Sequence, residues 1–165
     1  MKTLVIGLGN PILGDDGIGW KVAETLKSQI NADIDVDIDC LSLGGISLME
    51  HLVGYERAIL IDAFISKDGV GSILVLRLND LPNYSAFHTT SPHDTSLQNA
   101  IELGKSMGAK LPDEITVVGV TINPIYEFSE TLSPPVEEAV PWVTNIVFDL
   151  LKEQINNKEE SYHKA

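Results

Sequence analysis

Three places in this chain carry side chains whose types could do chemistry together: the adjacent carboxylates Asp15 and Asp16, the carboxylate of Asp62, and the imidazole of His93. Asp62 follows the apolar run Ala58-Ile59-Leu60-Ile61 without a gap and precedes Ala63 and Phe64. An isolated carboxylate in that setting is costly unless a cation or hydrogen-bond donors meet it. His93 stands in Thr90-Ser91-Pro92-His93-Asp94, at the entrance to a helical pattern. A lone histidine there is most simply a surface or capping residue, so its candidacy rests on convergence with the acids. Two carboxylates and one imidazole form a borderline donor set that suits nickel, zinc, iron or manganese and leaves coordination positions open. Such a set can act on water in two ways, through a metal that activates it and polarises a carbonyl, or through an aspartate serving as base.

The first loop, Gly7-Leu8-Gly9-Asn10-Pro11-Ile12-Leu13-Gly14-Asp15-Asp16-Gly17, joins an apolar strand pattern to a helical one. Glycine-rich turns of this kind often cradle phosphate. A dinucleotide fingerprint needs a third glycine where Ile12 stands, and a P-loop needs a lysine and a hydroxyl where Asp15 and Asp16 stand. The charge is inverted. Two carboxylates at a helix N-terminus suit the helix dipole, repel phosphate and are well placed to face a cation. One of the pair, Asp15 or Asp16, is expected to cap the helix entrance, and the other is then surplus to the helix and is the candidate ligand.

These residues converge only if the fold brings them to one edge. Apolar runs rich in β-branched residues predict buried strands over Thr3 to Ile6, Ala58 to Ile61, Ser72 to Leu78 and Ile115 to Val120. A fifth strand alternates Ile34, Val36, Ile38 and Cys40 with aspartates, the pattern of an edge or half-covered strand. Helical spacing appears at Ile18, Val22, Leu26 and Ile30, at Leu48 and Leu52, at Leu97, Ile101 and Gly104, and from Val136 to Leu150. The alternation predicts a three-layer α/β sandwich, a mainly parallel sheet with one antiparallel strand and helices on both faces. Only about ten residues separate the strand ending at Ile61 from the one starting at Ser72, too few for a parallel crossover, so these two are expected to pair as an antiparallel hairpin. Residues 79–92 then carry the chain back, which returns His93 to the edge holding Asp16 and Asp62. Ligands gather at the carboxyl ends of the strands in such sheets. The last helix is expected to open with Ser133 as N-cap and Pro134 behind it, and to kink at Pro141 to the point of reading as two segments.

With 165 residues, 44% hydrophobic and 21% charged, the chain fits one domain, read as residues 1–155 followed by a polar, disordered tail over 156–165. Eleven basic against 24 acidic residues give a net charge of −13, which disfavours nucleic acid and anionic lipid as partners. The single cysteine, Cys40, cannot form an internal disulfide and is expected to be a buried small hydrophobe; with no signal-peptide core and no membrane span in the pattern, a soluble cytoplasmic protein is expected. His51, His88 and His163 receive no role, and Trp20, Trp142, Met49 and Met107 are expected in the core or in helix packing.

The residues resemble one known family, the nickel-iron hydrogenase maturation proteases, over almost the whole chain to about Leu151. The resemblance is carried by Gly7-x-Gly9-Asn10 with Asp15-Asp16-Gly17-x-Gly19, by Ile61-Asp62-Ala63, by Ser91-Pro92-His93 and by Leu132-Ser133-Pro134. It implies a five-stranded sheet between helix layers and an endopeptidase that removes the C-terminal extension of a hydrogenase large-subunit precursor. It also implies that Asp16, Asp62 and His93 bind nickel held by that precursor, with no organic cofactor and no resident metal. Gly44-Gly45 resembles a family glycine pair near the cleft, but Leu43 stands where some relatives carry an acid, so the hydrogenase served is not implied. Peptidyl-tRNA hydrolases also open with a strand and Gly-Leu-Gly-Asn-Pro, as Gly7 to Pro11 do, but follow it with a Thr-Arg-His-Asn segment absent here. A third alternative is a non-catalytic nickel-binding module that uses the same trio.

Overall fold

The computed structural model describes residues 2–31, 34–81 and 95–163, with side chains as far as residue 153. Its strands are β1 (Thr3–Leu8), β2 (Val36–Leu41), β3 (Arg57–Ile65), β4 (Ile73–Arg77) and β5 (Glu114–Ile122), and its helices α1 (Ile18–Gln29), α2 (Gly45–His51), α3 (Leu97–Ser106) and α4 (Pro134–His163). Short 3-10 turns span Gly14–Gly17 and Leu78–Asp80. The continuous apolar runs became the central strands: β1, β3 and β5 lie side by side in the order β2-β1-β3-β5-β4, parallel to one another and to β2. β2 takes the edge, half-buried and exposed in alternation over Val36 to Asp39 as its aspartate spacing requires.

One expectation is overturned. β4 is antiparallel, but its partner is β5 and not β3, so the two strands joined by the short connection do not form a hairpin. The cause is burial. β5 is covered from Ile115 to Ile122 and belongs in the middle of the sheet, whereas β4 is exposed along its second half and fits an edge. The connection steps across one strand instead of folding back beside β3. Gly71 donates its backbone N–H to Thr121 O at 2.8 Å, and Thr121 N–H donates to Ser72 O at 2.8 Å, which ties that step to β5.

Alternate residues of each central strand feed two separate cores. Leu4, Ile6, Leu60, Ile115 and Val117 pack against α2 and α3, while Val5, Ile59, Ile61, Val118 and Val120 pack against α1 and α4. This is the expected three-layer α/β sandwich. Helix α4 runs as one helix past the exposed Pro141, where two segments were expected, and its backbone continues to His163 through residues read from sequence as the start of a tail. Met49 is core, and Trp20 is half-buried with its indole N–H on Leu41 O at 3.2 Å. Trp142 and Met107, expected in packing, are 67% and 77% exposed, Trp142 on a helix position that turns away from the sheet and Met107 at the C-cap just past α3. Among the described residues no helix is long and apolar enough to cross a membrane.

Candidate active site

Because β1, β2, β3 and β5 run the same way, the loops after them meet at one edge, and the first of these loops is held there by backbone contact. A Cβ on Gly7 would stand 2.1 Å from Gly19 O, and one on Gly19 would stand 2.3 Å from Leu8 O and 2.4 Å from Ile61 O. No side chain fits at either position, so the start of α1 lies directly on the ends of β1 and β3. That contact sets the turn Gly14–Gly17, which ends two residues before Gly19, against β3.

Asp16 sits in this turn and is 7% exposed. Its Oδ2 accepts the Asn10 N–H at 2.8 Å, a bond that closes the loop on itself. Asp62 is fully buried, and its Oδ1 accepts the N–H of Ala63 at 2.8 Å. The sequence places Asp62 just after its strand. The structure puts it inside β3, in register with Gly119 of β5, one residue beyond Ile61, where β1 makes its last pairing with β3. The extension is due to β5, whose own apolar run lasts to Ile122 and keeps β3 hydrogen-bonded on that side. Asp62 is thus flanked by a strand on one side only, at the edge where the first loop crosses.

The structure therefore brings Asp16 and Asp62 to the same edge of the sheet, both buried. The third expected ligand, His93, lies outside the described residues. Among the described residues no group of three or more His, Cys, Asp or Glu is placed to hold a metal ion. Thr95 is described, and its carbonyl oxygen is 2.8 Å from the point a Cβ on Gly45 would occupy. Gly45 has a φ of +50° and opens α2 a few residues after β2 ends at this same edge.

Asp15 has a different role from the one expected. It does not cap α1, whose N-cap Gly17 receives no side-chain bond. Its Oδ1 accepts the N–H of Ser133 at 2.6 Å and its Oδ2 accepts the Ser133 hydroxyl at 2.7 Å. Ser133 does open α4 as expected, its carbonyl accepting from Glu137 N–H at 2.8 Å. The clasp could not be read from local pattern, since Asp15 and Ser133 are 118 residues apart. Two further backbone bonds hold the same seam, from Gly14 N–H to Ser129 O at 2.6 Å and from Ser129 N–H to Ile12 O at 2.9 Å.

Cys40 is half-buried with Sγ 4.0 Å from Trp20 O, and burial pushes its thiol up, which disfavours the thiolate a nucleophile would need. The chemistry available at this edge is therefore that of carboxylates. Two buried acids are costly unless a cation or donors offset them, and their oxygens can accept a proton from water or hold a hard or borderline cation.

Residues 20–150 match the family model described as hydrogenase maturation protease. Asp62 and His93 lie inside that span, and Asp16 just before it. The chain is 27% identical over 147 residues to the hydrogenase 2 maturation protease of Escherichia coli, covering 87% of this chain and 88% of that one. The solved structure of the hydrogenase maturating endopeptidase HybD from E. coli superposes with a TM-score of 0.74 at 27% identity, over 93% of this chain and 94% of that one. The hydrogenase 2 maturation peptidase of a Thaumarchaeota archaeon superposes with a TM-score of 0.66 at 28% identity, over 92% and 99% of the two chains.

Proposed function

This chain belongs to the hydrogenase maturation protease family, and on that footing we propose that it removes the C-terminal extension of a hydrogenase large-subunit precursor, selecting precursors that already hold nickel. The observation that carries this reading is the pair of carboxylates buried to 0% and 7% exposure at one sheet edge, Asp62 and Asp16. Two carboxylates gathered at one edge are the complement that a cation carried by the substrate would meet. Asp16, Asp62 and His93 dock onto the precursor's nickel. Chain connectivity supports including His93: Thr95, two residues on, lies against Gly45 beside the end of β2.

Docking through the metal fixes the scissile peptide next to the acids, so that positioning supplies much of the selectivity. Water then attacks the peptide carbonyl, activated by the nickel or by an aspartate as base. The net charge of −13 favours a cationic cargo and disfavours tRNA. Incubating the purified protein with nickel-loaded precursor and weighing the products tests the reading. A shortened large subunit plus one small C-terminal fragment is expected, and an uncut precursor refutes the processing role.

A further inference from the structure

We propose that Tyr126 and Phe128, with Ile12 and Ile65, form the rim on which the precursor lays an apolar, positively flanked segment while its scissile peptide is at the carboxylates. The inference rests on the processing role above and names the surface that role would use. Tyr126 and Phe128 are 89% and 81% exposed, and Ile12 and Ile65 are 46% and 48% exposed. Single exposed apolar residues are ordinary, but a cluster at a site is not.

The backbone sets Ile12 beside Phe128 and leads from the strand end at Ile65 toward Tyr126. Leu13 and Ser129 form a parallel bridge, held by the Gly14 and Ser129 amides, so Ile12 and Phe128 are neighbours one step before it on adjacent strands of chain. Ile65 is in register with Ile122, the last residue of β5, and the chain from Ile122 leads through Tyr126 to Phe128. The rim thus runs from the loop that carries Asp15 and Asp16 to the end of the strand that carries Asp62. A peptide reaching those acids passes along it. Burying two exposed aromatic side chains removes a large apolar area from water and can set much of the affinity.

The occupant is argued from charge. Glu127 lies between the two aromatics and Glu130 two residues after the second, and the whole chain carries −13. A second copy would bring the same acids face to face and be repelled, whereas an apolar segment flanked by lysine or arginine is attracted. The salt sensitivity of that attraction is a readout that a buried structural residue lacks.

The test compares cleavage of nickel-loaded precursor by the full-length wild type, Tyr126→Ala, Phe128→Ala and the double variant, with thermal melting and sedimentation in parallel. The double variant is expected to raise KM by about tenfold or more, keep kcat and keep Tm, since neither ring is packed. Wild-type KM is expected to rise with salt, and both proteins to sediment alike. An unchanged KM in the double variant, beside an active wild type, overturns the rim and leaves the processing role standing. A wild-type dimer that the double variant dissolves also overturns it, because the rim then serves a second copy. A wild type that leaves the precursor uncut refutes the processing role, and the rim falls with it.

Discussion

Asp15 holds Ser133 with both carboxylate oxygens, Oδ1 on its amide at 2.6 Å and Oδ2 on its hydroxyl at 2.7 Å, and so locks the first loop to the start of α4. This relationship divides the work of two adjacent acids. Asp15 is spent on structure, and Asp16, buried and turned toward the Asn10 amide, is left at the sheet edge beside β3. Hydrogen bonds to a charged group contribute about 1.5–3 kcal/mol each, and partial exposure discounts the two made here, so Asp15→Ala is expected to lower stability by roughly 2–4 kcal/mol, a Tm fall of about 5–15 °C for a chain of this size. Asp16→Ala is expected to melt much closer to wild type while cleaving precursor at least about a hundredfold more slowly. Melting curves and cleavage rates for both variants check the division. Equal melting losses, or an active Asp16→Ala, would contradict it.

Gly19 is the backbone seat of the site. A methyl there would lie 2.3 and 2.4 Å from two strand carbonyl oxygens, neither of which is the end of a flexible side chain. Gly19→Ala is expected to cost more than about 3 kcal/mol and to separate the turn bearing Asp16 from β3, so that any folded fraction is inactive. Denaturant titration with a cleavage assay on the folded fraction decides it. A variant of wild-type stability would show that the contact is not enforced.

Thr121 is fully buried, and its hydroxyl has no hydrogen-bond partner among the described residues. An unmade bond to a buried hydroxyl costs about 1–3 kcal/mol. Thr121→Val, which keeps the shape and removes the oxygen, is therefore expected to be as stable as wild type or more so, by up to about 2 kcal/mol. A loss above about 1 kcal/mol in chemical denaturation would mean that the hydroxyl is satisfied in solution.

At the β1–β2 end of the sheet, the Tyr55 hydroxyl donates to Asp37 at 2.6 Å and Lys2 pairs with the same oxygen at 3.1 Å. The tyrosine hydrogen bond first, and the lysine second, hold the Asp37 carboxyl below its usual range. A lowered carboxylate stabilises the fold above its ordinary pKa, and the contribution is lost as pH falls through the lower folded value. Bonding to Asp37 also raises Tyr55 and Lys2, whose contributions are present at neutral pH and lost as pH rises through their raised values. Tyr55→Phe is thus expected to melt slightly below wild type at neutral pH, with the gap closing below about pH 4. A gap that does not depend on pH would sink this assignment, and its size should be small because the group is exposed.

Much of this architecture is legible in the sequence, and the misses share a cause. Period and apolar content find every strand and α-helix among the described residues, since each central strand is buried on both faces and β2 is half-buried on one. They do not find the pairing of β4, because partner choice in a sheet depends on which strand is more buried and not on the length of the connection alone. Asp62 and Asp16 are legible as acids that a helix or strand does not need. Asp15 is misread as a cap because its true partner is Ser133, and nothing in a local window reports a bond across 118 residues. The Gly7–Gly19 contact is legible only as glycine richness, since a close approach between backbones has no side chain to announce it.

The central claim is that the nickel belongs to the substrate and is what the buried acids recognise. The most direct measurement is cleavage by metal-stripped enzyme of nickel-loaded precursor, beside nickel-free precursor offered to enzyme given nickel or zinc. The account predicts release of the C-terminal fragment in the first case and none in the second. Efficient cleavage of the nickel-free precursor, or a stripped enzyme that is inactive on the loaded one until metal is restored to it, would contradict it.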